Sequence, residues 1–241
     1  AVPALLHPEP RTVGVVGMGS GGTLYGIAGR PETQALTCFE IMSNQPEVLR
    51  TYGEQVGDKA IRRILEDERL RIVGNDGRYE LSVRGIRYDL IEADALRPNS
   101  AFSGNIYSAE YFQLVRDRLN AGGWAVSWCP SARTLATFCS VFPFVAYAGG
   151  PGGGLLLIGS NEPIELDWKA VDARLQDPFT REHYERADMD IATIIAPLRE
   201  QLVVIDPTTY AHGDKNTDLF PKDEFELPYT NELIKKRLGL Q

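Results

Sequence analysis

The chain has 241 residues, of which 43% are hydrophobic and 24% charged, and its formal net charge is −8. A chain of this length and composition can bury a substantial core, as one large domain or as one domain with an appendage. The acidic balance argues against nucleic acid or an anionic membrane surface as the main partner, because both favour basic proteins.

The cysteines and histidines form neither a disulfide framework nor a metal-binding motif. Cys38, Cys129 and Cys139 lie in apolar segments without the spacing of metal ligands. We interpret them as reduced core thiols of a cytosolic protein. The three histidines are far apart in the sequence, so we expect no bound metal.

No apolar run reaches the length of a membrane span, and no signal peptide opens the chain. The first residue is Ala1 rather than Met. The sequence therefore leaves open a membrane region that precedes these residues in a longer protein, with this chain as its cytosolic domain.

A glycine-rich turn stands near the start of the chain, between two apolar segments. Residues 1–10 are proline-rich and are predicted to be a linker. Residues 12–16 have the continuous apolar character of a strand that is buried on both faces. The turn Gly17-Met18-Gly19-Ser20-Gly21-Gly22 follows, then a short helix that ends at Gly29, and then a second strand over residues 35–39.

Strands and helices alternate through the next hundred residues. Further strands are predicted at 70–73, 88–93, 124–128, 145–147 and 155–158, with helices at 58–68, 108–119 and 131–141. This alternation predicts a parallel α/β sheet with right-handed crossovers, which the last two strands close as an antiparallel hairpin.

The predicted fold class is therefore α/β, with a Rossmann-like sheet of the S-adenosylmethionine-methyltransferase type. The sheet is mostly parallel and ends in the C-terminal antiparallel hairpin. We expect residues 1–160 to form a nucleoside-binding domain and residues 161–241 a mainly helical extension packed on it.

The glycine turn has the properties of a nucleotide-binding turn. Glycines let the backbone approach a ligand closely, and a helix N-terminus offers unpaired N–H groups. Gly17, Gly19, Ser20, Gly21 and Gly22 are therefore candidate cofactor-binding residues. The motif alone fits NAD enzymes and S-adenosylmethionine enzymes equally.

Acidic residues follow three of the predicted parallel strands. Glu40 ends the second strand, Asp76 and Gly77 follow the third, and Asp94 ends the fourth. The carboxyl ends of parallel strands share one edge of the sheet, where open α/β folds bind their ligands. A carboxylate at Glu40 can accept both ribose hydroxyls, and one at Asp76 can accept the amine of adenine.

These segments resemble those of the spermidine synthase, or polyamine aminopropyltransferase, family over about residues 7–160. The runs that carry the resemblance are GVVGMGSGGTL, CFEI, RLRIVGNDGRYEL, YDLIEAD and NIYSAEYFQLVRDRLNAGGWAV. The runs DALRPNSAFSGNIYS and TDLFPKDEF are more similar to the spermidine-synthase-like domains that follow membrane helices in some bacterial proteins.

The family transfers an aminopropyl group from decarboxylated S-adenosylmethionine to an amine. The resemblance implies that Glu40 holds the ribose, that Asp76 and Gly77 meet the adenine, and that Asp94 helps to deprotonate the amine. It implies a small-molecule nucleoside donor and an amine acceptor as partners, without nucleic acid or metal.

The chain departs from the family where the amines should bind. Ser20 stands where the family turn GGGDGG has an aspartate, and Arg97 stands where a second aspartate follows the catalytic one. Residues 149–154 replace the family's PTYPSG stretch without an aromatic side chain. Because Arg97 repels a dicationic diamine, we expect an acceptor other than putrescine, with Arg97 and Tyr107 as candidate substrate-binding residues.

Several functions stay open at this point. The donor is S-adenosylmethionine or its decarboxylated form, and the chain is an aminopropyltransferase-like enzyme, a methyltransferase or a non-catalytic nucleoside-binding domain of a membrane protein. An NAD oxidoreductase is disfavoured by Asp76 and by the terminal hairpin. The loop 96–105 is either a gate over the ligand or a static surface loop, and self-association is not determined by the sequence.

Overall fold

The structure is a computed structural model that describes residues 2–93, 100–149 and 155–226. The chain divides into two compact units. The first comprises Ala1–Ala95 and Glu165–Glu200, and the second comprises Leu96–Ile164 and Gln201–Gln241. The expected division into domains at 1–160 and 161–241 stays a prediction.

The described residues contain eight strands, with helices between them. The strands are β1 (Thr12–Val16), β2 (Ala35–Phe39), β3 (Leu70–Val73), β4 (Tyr88–Ala93), β5 (Leu119–Trp128), β6 (Phe144–Gly149), β7 (Leu155–Ser160) and β8 (Val203–Ile205). The helices are α1 (Val2–Leu6), α2 (Gly22–Ala28), α3 (Gln45–Val56), α4 (Lys59–Leu65), α5 (Gly77–Arg84), α6 (Ala109–Asp117), α7 (Ala132–Cys139), α8 (Trp168–Gln176), α9 (Pro178–Glu185), α10 (Ile191–Ile195), α11 (Leu198–Gln201) and α12 (Lys222–Glu226). Short 3₁₀ turns span Ser103–Ile106 and Pro207–Thr209.

The first unit contains a parallel sheet in the order β3-β2-β1-β4. The register pairs Val16 with Phe39 and with Ala93, so the carboxyl ends of these strands are level. The central strand β1 is buried from Val13 to Val16, as its uninterrupted apolar sequence predicts. This levelling gathers the loops that follow each strand at one edge of the sheet.

The N-terminal residues are a buried helix in this unit, so the prediction of a linker at residues 1–10 is wrong. The guanidinium of Arg30 is fully buried and donates to the carbonyl oxygens of Ala4, His7 and Pro8. The sequence of this segment did not predict a helix, because it contains prolines and lacks a helical periodicity. Its carbonyl oxygens are bound by Arg30, a residue outside the segment.

The helices α8 to α11 complete the first unit. Tyr184 of α9 is buried, and its hydroxyl donates to the carbonyl oxygen of Gly26 at 2.5 Å. A Cβ at Gly29 would lie 2.6 Å from that hydroxyl, so glycine is required where α2 ends against α9. The expectation of mainly helical structure after residue 160 is confirmed for these residues.

The second unit contains antiparallel strands in the order β5-β7-β6-β8. The predicted hairpin of β6 and β7 is confirmed, and β7 also pairs with β5. The short edge strand β8 was not predicted, because three residues show no usable periodicity. Strand β5 begins at Leu119, before the predicted start at residue 124, and includes Gly122, which adopts a φ of 70°.

The predicted fold class is confirmed by this arrangement of parallel strands, antiparallel C-terminal strands and alternating helices. Within the part of the chain that the structure describes, no helix is both long enough and apolar enough to cross a membrane.

Candidate nucleoside-binding site

The glycine turn connects β1 to α2 in the first unit. Gly17, Gly19 and Gly21 all have positive φ, at 92°, 52° and 79°. Such angles are strained for residues with a side chain, so the glycines are needed for the path of the backbone. The N–H of Gly17 donates to the carbonyl oxygen of Phe39 at 2.8 Å, which ties the start of the turn to the end of β2.

The second half of the turn presents its surface outward. Gly19, Ser20 and Gly22 are exposed, whereas Gly21 is buried and its N–H donates to Met18 O at 2.9 Å. A ligand can therefore approach the backbone on the exposed side without displacing the core.

Glu40 is the most informative residue of the site. Its side chain is only 7% exposed, so it is not a solvated acid at a strand end. One carboxylate oxygen accepts the N–H of Met18 and the other accepts the N–H of Met42, each at 2.8 Å. A carboxylate has about four acceptor positions, so roughly two remain for the hydroxyls of a ribose.

Asp76 and Gly77 lie after β3, at the start of α5. The carboxylate of Asp76 caps the helix by accepting the N–H of Tyr79 at 2.7 Å. This single bond leaves acceptor capacity on a half-buried side chain. Gly77 is buried against the ends of β1 and β2, where a Cβ would come within 2.8 Å of Val16 and 3.1 Å of Phe39.

The first unit thus brings together all eight residues predicted to bind the nucleoside: Gly17, Gly19, Ser20, Gly21, Gly22, Glu40, Asp76 and Gly77. They occupy the loops after three neighbouring parallel strands. Their roles toward a ligand stay predictions, and their placement at one edge of the sheet is what those roles require.

The profile of the spermine/spermidine synthase domain matches residues 1–130, a stretch that includes β1 to β4 and the whole of this edge. The chain belongs to the spermine/spermidine synthase family. The family resemblance predicted from the sequence is confirmed, whereas the likeness to membrane-fused members stays a prediction.

A curated relative is the polyamine aminopropyltransferase of Moorella thermoacetica. It is 28% identical over 184 residues, which cover 70% of this chain and 63% of the relative. The chain thus spans less than two thirds of the length of that family member.

Solved structures show the same fold. A spermidine synthase in complex with the transition-state analogue AdoDATO superposes with a TM-score of 0.59 at 20% identity, covering all of this chain and 72% of that one. Human methyltransferase-like protein 13 in complex with SAH gives a TM-score of 0.54 at 19% identity, covering 74% of this chain and 87% of that one. The methyltransferase-type fold is therefore shared by both classes.

Of the three residues predicted to act on the amine, only Tyr107 is among the described residues. Asp94 and Arg97, the predicted catalytic and substrate-binding residues, lie outside the described residues. Tyr107 belongs to the second unit, where it is 4% exposed at the end of the 3₁₀ turn Ser103–Ile106. Its role in binding an acceptor stays a prediction.

Sequence reasoning missed the groups that hold the turn in place. Gln45, at the start of α3, donates its side-chain N–H to the carbonyl oxygen of Gly19 at 2.9 Å. The backbone N–H groups of Met18 and Met42 hold the Glu40 carboxylate. In the sequence, only the position of Gln45 shortly after Glu40 could have indicated its contact with the turn. Backbone N–H groups cannot be recognised as donors from a sequence, because every residue except proline has one.

A separate cleft of about 640 Å³ lies at the opposite edge of the first unit, before β2 and β3. It is lined by Tyr25, Arg63, Phe179 and His183 among others, and by none of the eight predicted nucleoside-binding residues. The His183 ring stacks on Tyr25 at a centroid distance of 4.1 Å, and its Nε2 contacts Tyr25 O at 2.8 Å. These contacts hold α9 against α2. We therefore interpret the cleft as a groove between packed helices and not as a ligand site.

The three cysteines are buried free thiols. Burial raises the pKa of Cys38 to about 12, with a smaller contribution from the Glu40 carboxylate, and burial likewise raises the pKa of Cys139 to about 12. Both groups are therefore unreactive thiols near neutral pH.

Proposed function

We propose that the chain is an aminopropyltransferase-like transferase that binds decarboxylated S-adenosylmethionine, or S-adenosylmethionine itself, and acts on an amine other than putrescine. The observation that carries the proposal is the buried Glu40 carboxylate, which is held by two backbone N–H groups and keeps about two acceptor positions for a ribose. Family membership supports the same class of donor.

The nucleoside half of the donor would lie along the ends of β1, β2 and β3. Glu40 would accept the two ribose hydroxyls, and Asp76 would accept the exocyclic amine of adenine with the oxygen that does not cap α5. Gly77 lets the start of α5 pack directly against the ends of β1 and β2, which keeps Asp76 at this edge of the sheet.

Transfer requires little acid catalysis, because the donor sulfonium is already a good leaving group. The lone pair of a neutral amine would attack the carbon next to sulfur, so that a C–N bond forms as the C–S bond breaks. Sulfur leaves as the neutral thioether of methylthioadenosine. Asp94 would take the proton that the amine loses, since an amine attacks only when neutral. Positioning of the two substrates would supply most of the acceleration.

The acceptor is proposed from the two departures at the amine-binding half. Ser20 offers no charge to an ammonium group, and Arg97 adds a cation where the family has an aspartate. Arginine pairs with carboxylates in a bidentate fork. We therefore expect the preferred substrate pair to carry a carboxylate, on the acceptor or on a donor that has not been decarboxylated.

Two measurements test the proposal. Calorimetric titration with S-adenosylmethionine, its decarboxylated form, methylthioadenosine and NAD should show binding of the adenosyl-sulfur compounds and none of NAD. Each donor is incubated with amines that do or do not carry a carboxylate, and the products are identified by mass spectrometry. We expect methylthioadenosine together with an aminopropylated amine from the decarboxylated donor, or an aminocarboxypropylated amine from S-adenosylmethionine. Tight binding of NAD alone would overturn the donor assignment, and efficient conversion of putrescine would overturn the acceptor assignment.

The same experiments separate the alternatives. Nucleoside binding without turnover of any amine would indicate a regulatory domain, and formation of S-adenosylhomocysteine would indicate a methyltransferase. Asp94→Asn should abolish most of the transfer while leaving donor affinity within about twofold, since a base acts in the chemical step rather than in donor binding. Unchanged transfer would remove Asp94 from the mechanism.

A further inference from the structure

The C-terminal segment of the second unit contacts the 3₁₀ turn that carries Tyr107. Glu224 of α12 accepts the N–H of Phe102 at 2.9 Å with one carboxylate oxygen and the N–H of Gly104 at 3.2 Å with the other. These are the donors at the start of the turn Ser103–Ile106, which ends at Tyr107. One carboxylate therefore caps the turn from a position more than a hundred residues later in the chain.

Close packing reinforces this contact. Gly104 lies against Pro221, the residue before α12, so tightly that a Cβ on Gly104 would overlap the proline ring. Any side chain at Gly104 would push the turn away from Glu224. The sequence thus keeps glycine where the two segments meet.

The turn also contains a strained residue. Phe102 has a φ of 67° and a ψ of 8°, in the left-handed region, and its side chain is 74% exposed. A bulky residue in this conformation is strained and persists only where its surroundings hold it. The bond from Phe102 N–H to Glu224 is one such constraint.

The segment that carries Glu224 is itself firmly anchored. The neighbouring Asp223 is 2% exposed and accepts hydrogen bonds from four side chains of the same unit. The donors are Ser131, Thr134, Asn216 and Arg133. Glu224 is thus presented to the turn from a rigid base.

We infer that Glu224 is a positioning residue for the acceptor side of the site, which acts by bracing the turn that ends at Tyr107. This inference rests on the proposed function, because Tyr107 is the proposed acceptor-binding residue. Asp223 serves as the anchor of the brace. The nucleoside-binding residues belong to the other unit, so the brace should affect the amine and not the donor.

The test compares Glu224→Ala with the matched control Glu226→Gln. Glu226 lies on the same helix and pairs with Arg133 instead of the turn. Hydrogen exchange in peptides covering residues 100–107 should be roughly 10-fold faster in Glu224→Ala, because two hydrogen bonds are lost, and unchanged in the control. Glu224→Gln keeps one acceptor oxygen and should give an intermediate rate.

Kinetics then separate positioning from stability. We expect the KM for the amine to rise roughly 10- to 100-fold in Glu224→Ala, as a misplaced binding group does, with the donor Kd within twofold of the wild type. Adding Phe102→Gly, which removes the strain, should recover part of the lost protection and part of the amine KM. A proportional loss of donor affinity and of global stability would show a merely structural role.

The failure of this inference can be distinguished from the failure of the proposed function. Unchanged exchange in Glu224→Ala would overturn the brace, and faster exchange with unchanged amine kinetics would overturn its role in positioning. If the wild type transfers nothing to any amine, both the proposed function and the positioning role of Glu224 are refuted. The hydrogen-exchange data then test only whether Glu224 stabilises the turn.

Discussion

The carboxylate of Glu40 accepts the backbone N–H of Met18 at 2.8 Å, so an acid at the end of β2 holds the second residue of the glycine turn that follows β1. Glu40 is proposed to bind the ribose, and the glycine turn is proposed to lie beside the donor. The two are therefore directly connected by a hydrogen bond. A change at Glu40 alters both at once.

Glu40→Gln should weaken the binding of an adenosyl-sulfur ligand. The amide keeps only one acceptor oxygen, and its NH₂ group would face a backbone N–H donor. Hydrogen bonds to charged groups contribute about 1.5–3 kcal/mol, so we expect a Kd increase of roughly 10- to 100-fold in calorimetry with methylthioadenosine. The control is Glu47→Gln, an exposed acid in the first turn of α3. Equal affinities of the wild type and Glu40→Gln would refute the ribose assignment.

Gly77→Ala should disturb the adenine side of the site. The added methyl would lie 2.8 Å from Val16 Cγ1 and 3.1 Å from Phe39 Cβ, both in buried strands. Overpacking of this kind costs about 1–3 kcal/mol, which urea unfolding would detect together with reduced ligand affinity. Gly74→Ala is the matched control, because its nearest neighbour would be Ser43 at an ordinary 3.6 Å. A Gly77→Ala variant as stable as the control would show that the strand ends can separate at little cost.

The nucleoside-binding edge was predictable from the sequence because its residues follow a rule of position. Glu40, Asp76 and the glycine turn each come directly after a buried strand, and parallel strands end at one edge. Local pattern and topology therefore sufficed to place them. The structure added the backbone donors that hold Glu40, which no side-chain pattern reveals.

The features that were missed depend on partners far away in the chain. Arg30 donates to the carbonyl oxygen of Ala4 in helix α1 and to those of His7 and Pro8 just after it. The turn before Tyr107 is capped by Glu224. Helix α5 has no counterpart among the predicted elements, because Asn75-Asp76-Gly77 is typical of turns, whereas Asp76 here caps a helix. Contacts of this kind leave no periodicity in a single sequence.

Arg30→Met should destabilise the first unit more than an ordinary surface substitution does. The fully buried guanidinium donates to three carbonyl oxygens and pairs with Glu32 at 3.0 Å. Leaving the buried carbonyl oxygens without their donor costs about 1–3 kcal/mol for each unsatisfied group, which guanidinium chloride unfolding would measure. Arg11→Gln, which breaks an exposed pair with Glu9, should change stability by less than about 1 kcal/mol. If Arg30→Met loses no more stability than the Arg11→Gln control, water must replace the guanidinium as the donor to these carbonyl oxygens.

His183 should make the stability of the protein depend on pH below neutrality. Burial is the largest effect and lowers its pKa from the ordinary 6.5. The hydrogen bond to the Tyr25 carbonyl is the next largest and opposes this shift, and the charges of Arg69 and Arg63 lower the pKa further against that of Asp67. As the pH falls below 6.5, the unfolded chain takes up a proton that the folded protein does not, so stability decreases. The loss is at most about 1.4 kcal/mol per pH unit and levels off below the folded-state pKa. As the pH is lowered from 7.5 to 5.5, the melting temperature of the wild type should fall, and that of His212→Gln, an exposed control, should fall by the same amount. The melting temperature of His183→Phe, which keeps an aromatic ring stacked on Tyr25, should fall less. Parallel curves for all three proteins would show that other groups carry the pH dependence.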